Sequence, residues 1–185
     1  MANLTVDEIR RRFESAGEFN EVFDAFEQAL AQRIDDIGLY RSLFWNHALV
    51  PDELCLFGEK LAKEFPHIAY ETYMWLANVF EVTHSMFDNY DLALQYYRKA
   101  SLVKPTSSEP YLNAANCYEP DLNIPPPTVL IEFLKKGIGS VVPPKPLYER
   151  LSELYEREGN DEMRNYYRRL AQEDEPRNEE SPSSQ

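Results

Sequence analysis

The sequence predicts an all-α fold of stacked antiparallel helix pairs, and three observations carry that prediction. Between residues 70 and 105, Tyr73, Leu76, Ala77 and Phe80 fall at i, i+3, i+4 and i+7, and Leu92, Ala93, Tyr96, Tyr97 and Ala100 repeat that period on a second stripe. Small residues at Ala77, Ala93 and Ala100 stand among large rings at Tyr73, Phe80 and Tyr97, a combination that lets two helices approach closely and fill the gaps between them. Composition agrees: 12 Tyr and 10 Phe against 6 Gly suit helices wedged by bulky side chains, and no run alternates strictly enough for a strand.

The remaining segments echo this pair. Thr5 with Glu8 forms a capping box, so a helix is expected from about Val6 through Ile9 and Phe13 to Ala16, ended by Gly17. Its partner, from about Glu18 to Arg33, carries Val22, Phe26, Ala29 and Leu30 on one face. The next first helix, 37–48, sets Tyr40, Leu43, Phe44 and His47 on its stripe; Pro51 opens the second, which runs through Leu54, Phe57, Gly58 and Leu61 to Pro66. In the central pair the connection is longer by about one helical turn. The first helix is therefore expected to run on through Thr83 or His84, with Met86 and Phe87 closing over its end, and Pro105 stops the second. Tyr111, Ala114, Ala115 and Tyr118 mark the fourth first helix. The prolines at 125–127 are excluded from a helix interior, and the partner is expected from about Thr128 to Ile138, with Gly137 at its small site. A last pair, Lys145 to about Glu173, carries Tyr148, Leu151, Ser152 and Tyr155, then Met163, Tyr166, Tyr167 and Leu170. The repeats thus span 1–173, and 174–185, acidic and free of apolar residues, is expected to be a disordered tail.

Repeat starts near residues 3, 37, 70, 108 and 145 bracket the period of about 34 residues characteristic of one helical-repeat architecture. In that register the chain resembles the tetratricopeptide repeat family from residue 3 to about 173. The resemblance implies a right-handed helical-repeat solenoid of about five antiparallel pairs. Its work would be protein–protein interaction, with an extended or helical segment held in a concave groove lined by the first helices. It also assigns the groove positions: Glu71, Met74, Asn78 and Glu81, then Glu109, Leu112, Asn113, Asn116 and Glu119, then Glu149, Glu153 and Glu156. Asn78 and Asn116 take equivalent places, and amides there resemble those that clamp an extended peptide backbone. Solvated surface asparagines would give the same sequence. With Arg157 as the one cation facing these positions, the groove is acidic and a basic or neutral protein segment is the expected partner. Glutamates that only keep the surface soluble are the alternative.

Other chemistries lack their residues. A net charge of -13 argues against a nucleic-acid partner, which needs clustered Lys and Arg to displace counterions. Cys55 and Cys117 have no metal-ligand spacing and read as buried thiols. His47, His67 and His84 lie in separate contexts, Gly137-Ile138-Gly139 ends a helix instead of opening one, and no nucleophile arrangement is legible. No enzyme activity, cofactor or metal is expected. The tyrosine pairs 96–97 and 166–167 are expected to be structural, one ring in the core and one partly exposed. The amino terminus has no apolar signal core, and no stretch approaches about 18 consecutive apolar residues, so the expectation is a soluble cytoplasmic protein with no membrane contact. Two further readings stand beside the interaction module: a small secretion-type or assembly chaperone holding a dedicated client, and a small-molecule-binding regulatory protein. The oligomeric state is not set by the sequence.

Overall fold

The computed structural model describes residues 3–83 and 87–174, and every regular element in them is a helix. The chain groups into two compact units, Met1–Lys104 and Pro105–Gln185, divided at the proline expected to stop the central pair. His84, Met86 and the Phe87 side chain lie outside the described residues, as do residues 175–185 of the expected tail.

The first unit holds α1 (Val6–Ser15), α2 (Phe19–Ala31), α3 (Ile37–Phe44), α4 (Pro51–Glu64), α5 (Ala69–Thr83) and α6 (Phe87–Val103). Helices α1, α3 and α5 pack side by side in one row, α2 and α4 pack in another, and α4 and α6 both lie against α5. The capping box forms as expected: the Thr5 backbone N–H donates to Glu8 Oε2 at 2.7 Å, and the Glu8 N–H donates to Thr5 Oγ1 at 3.3 Å. Val22, Phe26, Ala29, Tyr40, Leu43, Leu54, Phe57 and Leu61 are buried, so the predicted stripes form the core. Rings join the rows, with Phe26 at 4.9 Å from Phe57 and 5.9 Å from Tyr40. Gly58 sets the distance between α4 and α5, because a Cβ there would lie 2.1 Å from Leu76 Cδ1. Lysines tie successive second helices together, Lys60 to Glu27 and Lys99 to Glu59.

Helix α3 stops at Phe44 and does not reach residue 48. The cause is Asn46, whose side chain is buried: Nδ2 donates to the carbonyls of Phe13 at 2.9 Å and Ala16 at 3.1 Å, and Oδ1 accepts from the Ala48 N–H at 2.9 Å. These bonds satisfy carbonyls that the end of α1 leaves open and turn the chain early. His47, expected on the core stripe, is in consequence exposed. Asn46→Ala should destabilise the first unit by about 1–3 kcal/mol, since two inward-facing carbonyls lose their donor. Thermal melting together with amide exchange in α1 checks this; unchanged exchange there would show that the carbonyls are served by water.

The second unit holds α7 (Glu109–Asn116), α8 (Pro127–Gly137), α9 (Lys145–Arg157) and α10 (Asp161–Glu173). Helix α7 packs on α8 and α9, α8 on α9, and α9 on α10. Gly137 occupies its small site for a visible reason: a Cβ would meet Leu147 Cδ1 at 2.9 Å and the Tyr111 ring at 3.0 Å. Tyr118, expected inside the fourth first helix, lies beyond its end. There the chain enters a loop closed by an antiparallel bridge between Glu119 and Ile124, and the Tyr118 hydroxyl donates to Asn123 Oδ1 at 3.1 Å. Asn123 takes φ 54, a left-handed conformation that asparagine tolerates. The tyrosine pairs split: Tyr167 is buried and Tyr166 is 43% exposed, as expected, but both Tyr96 and Tyr97 are buried.

Candidate interaction surface

In the second unit, Glu149, Glu153 and Glu156 are exposed along α9, and each has a cation beside it. Lys145 Nζ lies 3.9 Å from Glu149, Arg150 Nη1 2.5 Å from Glu153, and Arg164 Nη1 3.6 Å from Glu156 and 2.8 Å from Asp161. Exposed pairs of this kind contribute about 0–1 kcal/mol to stability, yet they cancel much of the local negative field. Arg150 also crosses to α7, where Nη2 donates to the Ala115 carbonyl at 2.9 Å and to Asn116 Oδ1 at 3.0 Å. A guanidinium at that carbonyl end complements the helix dipole. It also engages the oxygen of the asparagine expected to clamp a peptide. Glu109 is exposed, and Leu112, Asn113 and Glu119 are half-buried. Arg157 lies over the Tyr118 ring at 5.3 Å.

In the first unit, α5 leaves Glu71 exposed and Asn78 half-buried. Met74 is buried, and Glu81 accepts a hydrogen bond from the Tyr97 hydroxyl at 2.6 Å, so both take part in packing α5. Moved back by one repeat, Met74 and Asn78 become Arg41 and Trp45, residues that sequence reasoning passed over because it extended the groove only across the last three repeats. The Arg41 guanidinium lies over the Trp75 indole, Cζ 3.9 Å from the ring centroid. Trp45 is 37% exposed and borders two grooves. One, of about 510 Å³, is lined by Glu14, Arg41, Ser42 and His47; the other, of about 320 Å³, by Leu49, Leu54, Val79 and Val82. A signal for this surface was available: the only two tryptophans of the sequence, Trp45 and Trp75, both fall on it.

His67 Nε2 lies 2.8 Å from Asp35 Oδ2 on the surface, and His84 lies outside the described residues. Burial pushes the Cys55 thiol up, away from the reactive thiolate. Cys117 is buried, its Sγ donating to the Asn113 carbonyl at 3.5 Å. Among the described residues no group of three or more His, Cys, Asp or Glu side chains is placed to hold a metal ion. No helix among them is long and apolar enough to cross a membrane.

No protein-family profile matches the chain, and no curated protein sequence matches it. Two solved structures of MamA resemble it in fold. One, at 16% identity, aligns over 91% of this chain and 89% of its own with a TM-score of 0.52. The other, also at 16% identity, aligns over 94% and 96% with a TM-score of 0.51. MamA is a helical-repeat protein of the tetratricopeptide type, and the likeness establishes that fold for this chain.

Proposed function

We propose that the chain is a non-catalytic interaction module that holds a segment of another protein against its first helices. The observation that carries this reading is the Arg41, Trp45 and Trp75 surface of the first unit, where Trp45 stays open beside an apolar groove and Arg41 lies over the half-buried Trp75. Tryptophan and arginine dominate binding energies at protein interfaces, and a rigid row of packed helices presents them with little ordering cost. The internal pairing of Glu149, Glu153 and Glu156 supports a solubilising role for those glutamates over the capture of a basic segment. Asn78, one repeat on from Trp45, supplies amide groups for a backbone passing along the same face.

Affinity capture from the source cells, followed by titration of the captured partner, tests the proposal. Trp45→Ala should weaken binding by roughly tenfold or more, the size of an interface hot spot, and Asn78→Ala by less. Neither should shift the melting temperature by more than a surface change does. Because Trp45 is exposed at the groove, intrinsic fluorescence should change on binding. A partner that binds Trp45→Ala and Asn78→Ala as tightly as the parent chain would sink the proposal.

A further inference from the structure

A contact site of another kind lies in the second unit, outside the first-helix surface proposed above. We infer that the loop between α7 and α8 is a held finger: its Leu122 side chain enters an apolar pocket of a protein partner, and Asp121 and Glu119 meet basic groups at that pocket's rim. The connection runs over residues 117–126, whereas those inside the first, second and last helix pairs run over 16–18, 45–50 and 158–160. Connections of the longer kind are usually functional when they occur inside compact units. This one is not slack. Glu119 and Ile124 exchange both backbone bonds, at 2.7 and 3.3 Å, and the Asn123 N–H donates to the Pro120 carbonyl at 3.4 Å. Asn123 holds its left-handed φ of 54 while its Oδ1 accepts from the Tyr118 hydroxyl at 3.1 Å. Proline fixes φ at the turn through Pro120, and the buried Pro125 and Pro127 anchor the loop behind it. Yet residues 120–123 are all exposed, Leu122 by 59%, so the turn is not held in place to fill the unit's core. A fixed backbone that presents an apolar side chain has little left to order on binding, which favours a pocket over a flat surface. Charge decides the kind of pocket. Among the described residues neither Glu119 nor Asp121 has an ion pair, and the nearby cation, Arg157, lies at the base of the loop over the Tyr118 ring. An apolar centre with a basic rim complements that tip, in the usual arrangement of a protein interface.

Titration of the purified, captured partner against variants of the full chain tests this. Leu122→Ser should weaken binding by roughly tenfold or more, the effect of taking one leucine out of an apolar pocket, and Leu122→Met should keep most of the affinity. Asp121→Asn should slow association at low salt and lose that effect as salt shortens the Debye length below about 10 Å. Asn123→Ala keeps Asp121 and Leu122 but removes the acceptor of Tyr118; it should weaken binding severalfold, which a leucine acting without a held backbone would not show. Leu122→Ser and Asp121→Asn should leave the melting temperature where it is, and a fall with Leu122→Ser would give the leucine to the fold and overturn the inference. A partner that binds Leu122→Ser as tightly as the parent also overturns it; if the same partner is lost with Trp45→Ala, the first-helix surface still stands. Loss with Leu122→Ser but not with Trp45→Ala supports the loop and overturns the first-helix reading. Faster association of Asp121→Lys overturns the basic rim, and a chain that captures nothing overturns both sites. Self-association seen by light scattering and abolished by Leu122→Ser would give the loop to a second copy and overturn the assignment to a separate partner.

Discussion

Phe57→Ala should lower the unfolding free energy of the first unit by about 3–5 kcal/mol, the usual cost of deleting a fully buried aromatic side chain. Phe57 has no exposed surface, and its ring lies within reach of three others, Phe19 at 5.7 Å, Phe23 at 6.4 Å and Phe26 at 4.9 Å. Those three belong to α2, so the substitution would open the contact between successive second helices instead of trimming one helix. Against a total stability of about 5–15 kcal/mol for a typical domain, such a loss is a large fraction of what keeps the unit folded. Urea unfolding measures it as a fall in midpoint with an unchanged slope. Leu56→Ala is the control: that side chain is 47% exposed on the same helix and should change stability by no more than about 0.5 kcal/mol. Equal effects from the two substitutions would mean that α2 and α4 are not joined through Phe57.

Gly58→Ala is expected to destabilise the chain, although alanine is the better helix former. Propensity favours the substitution by about 1 kcal/mol. Packing opposes it, since the new Cβ would sit 2.1 Å from Cδ1 of Leu76, and Leu76 is fully buried and cannot swing into solvent. Overpacking costs about 1–3 kcal/mol, so the net effect is a loss, larger for Gly58→Val. The double substitution with Leu76→Ala isolates the cause. Leu76→Ala alone should cost about 2–5 kcal/mol by leaving a cavity. Combined with Gly58→Ala it should cost less than the sum, because the new methyl group enters the space that Leu76 vacates. Strict additivity would show that α4 and α5 do not meet at this pair.

The sequence by itself determined the class of fold, the order of the helices and most of the core. Period and residue size are local properties, and a stripe such as Val22, Phe26 and Ala29 has one way to be buried on a helix. The same holds for the Thr5 and Glu8 cap and for the small sites at Gly58 and Gly137, whose reason is visible once the neighbouring helix is in place. Helix ends were less legible. Nothing local distinguishes Asn46 from a surface asparagine, yet its bonds to carbonyls of α1, far away in the chain, end α3 early and send His47 to solvent. The candidate site depended still more on tertiary structure. Repeat register put residues on a face, but only packing shows that Met74 is buried, that Glu81 serves Tyr97 and that Arg150 sits on the end of α7. The sum of charges suggested an acidic groove. Individual contacts show what that sum omits on α9, where each glutamate has a cation within 4 Å. They also place Arg41, a charge that composition hides, over the Trp75 ring. Net charge adds over the whole chain, whereas a binding partner responds to the few charges within a Debye length of about 10 Å that no neighbour has neutralised.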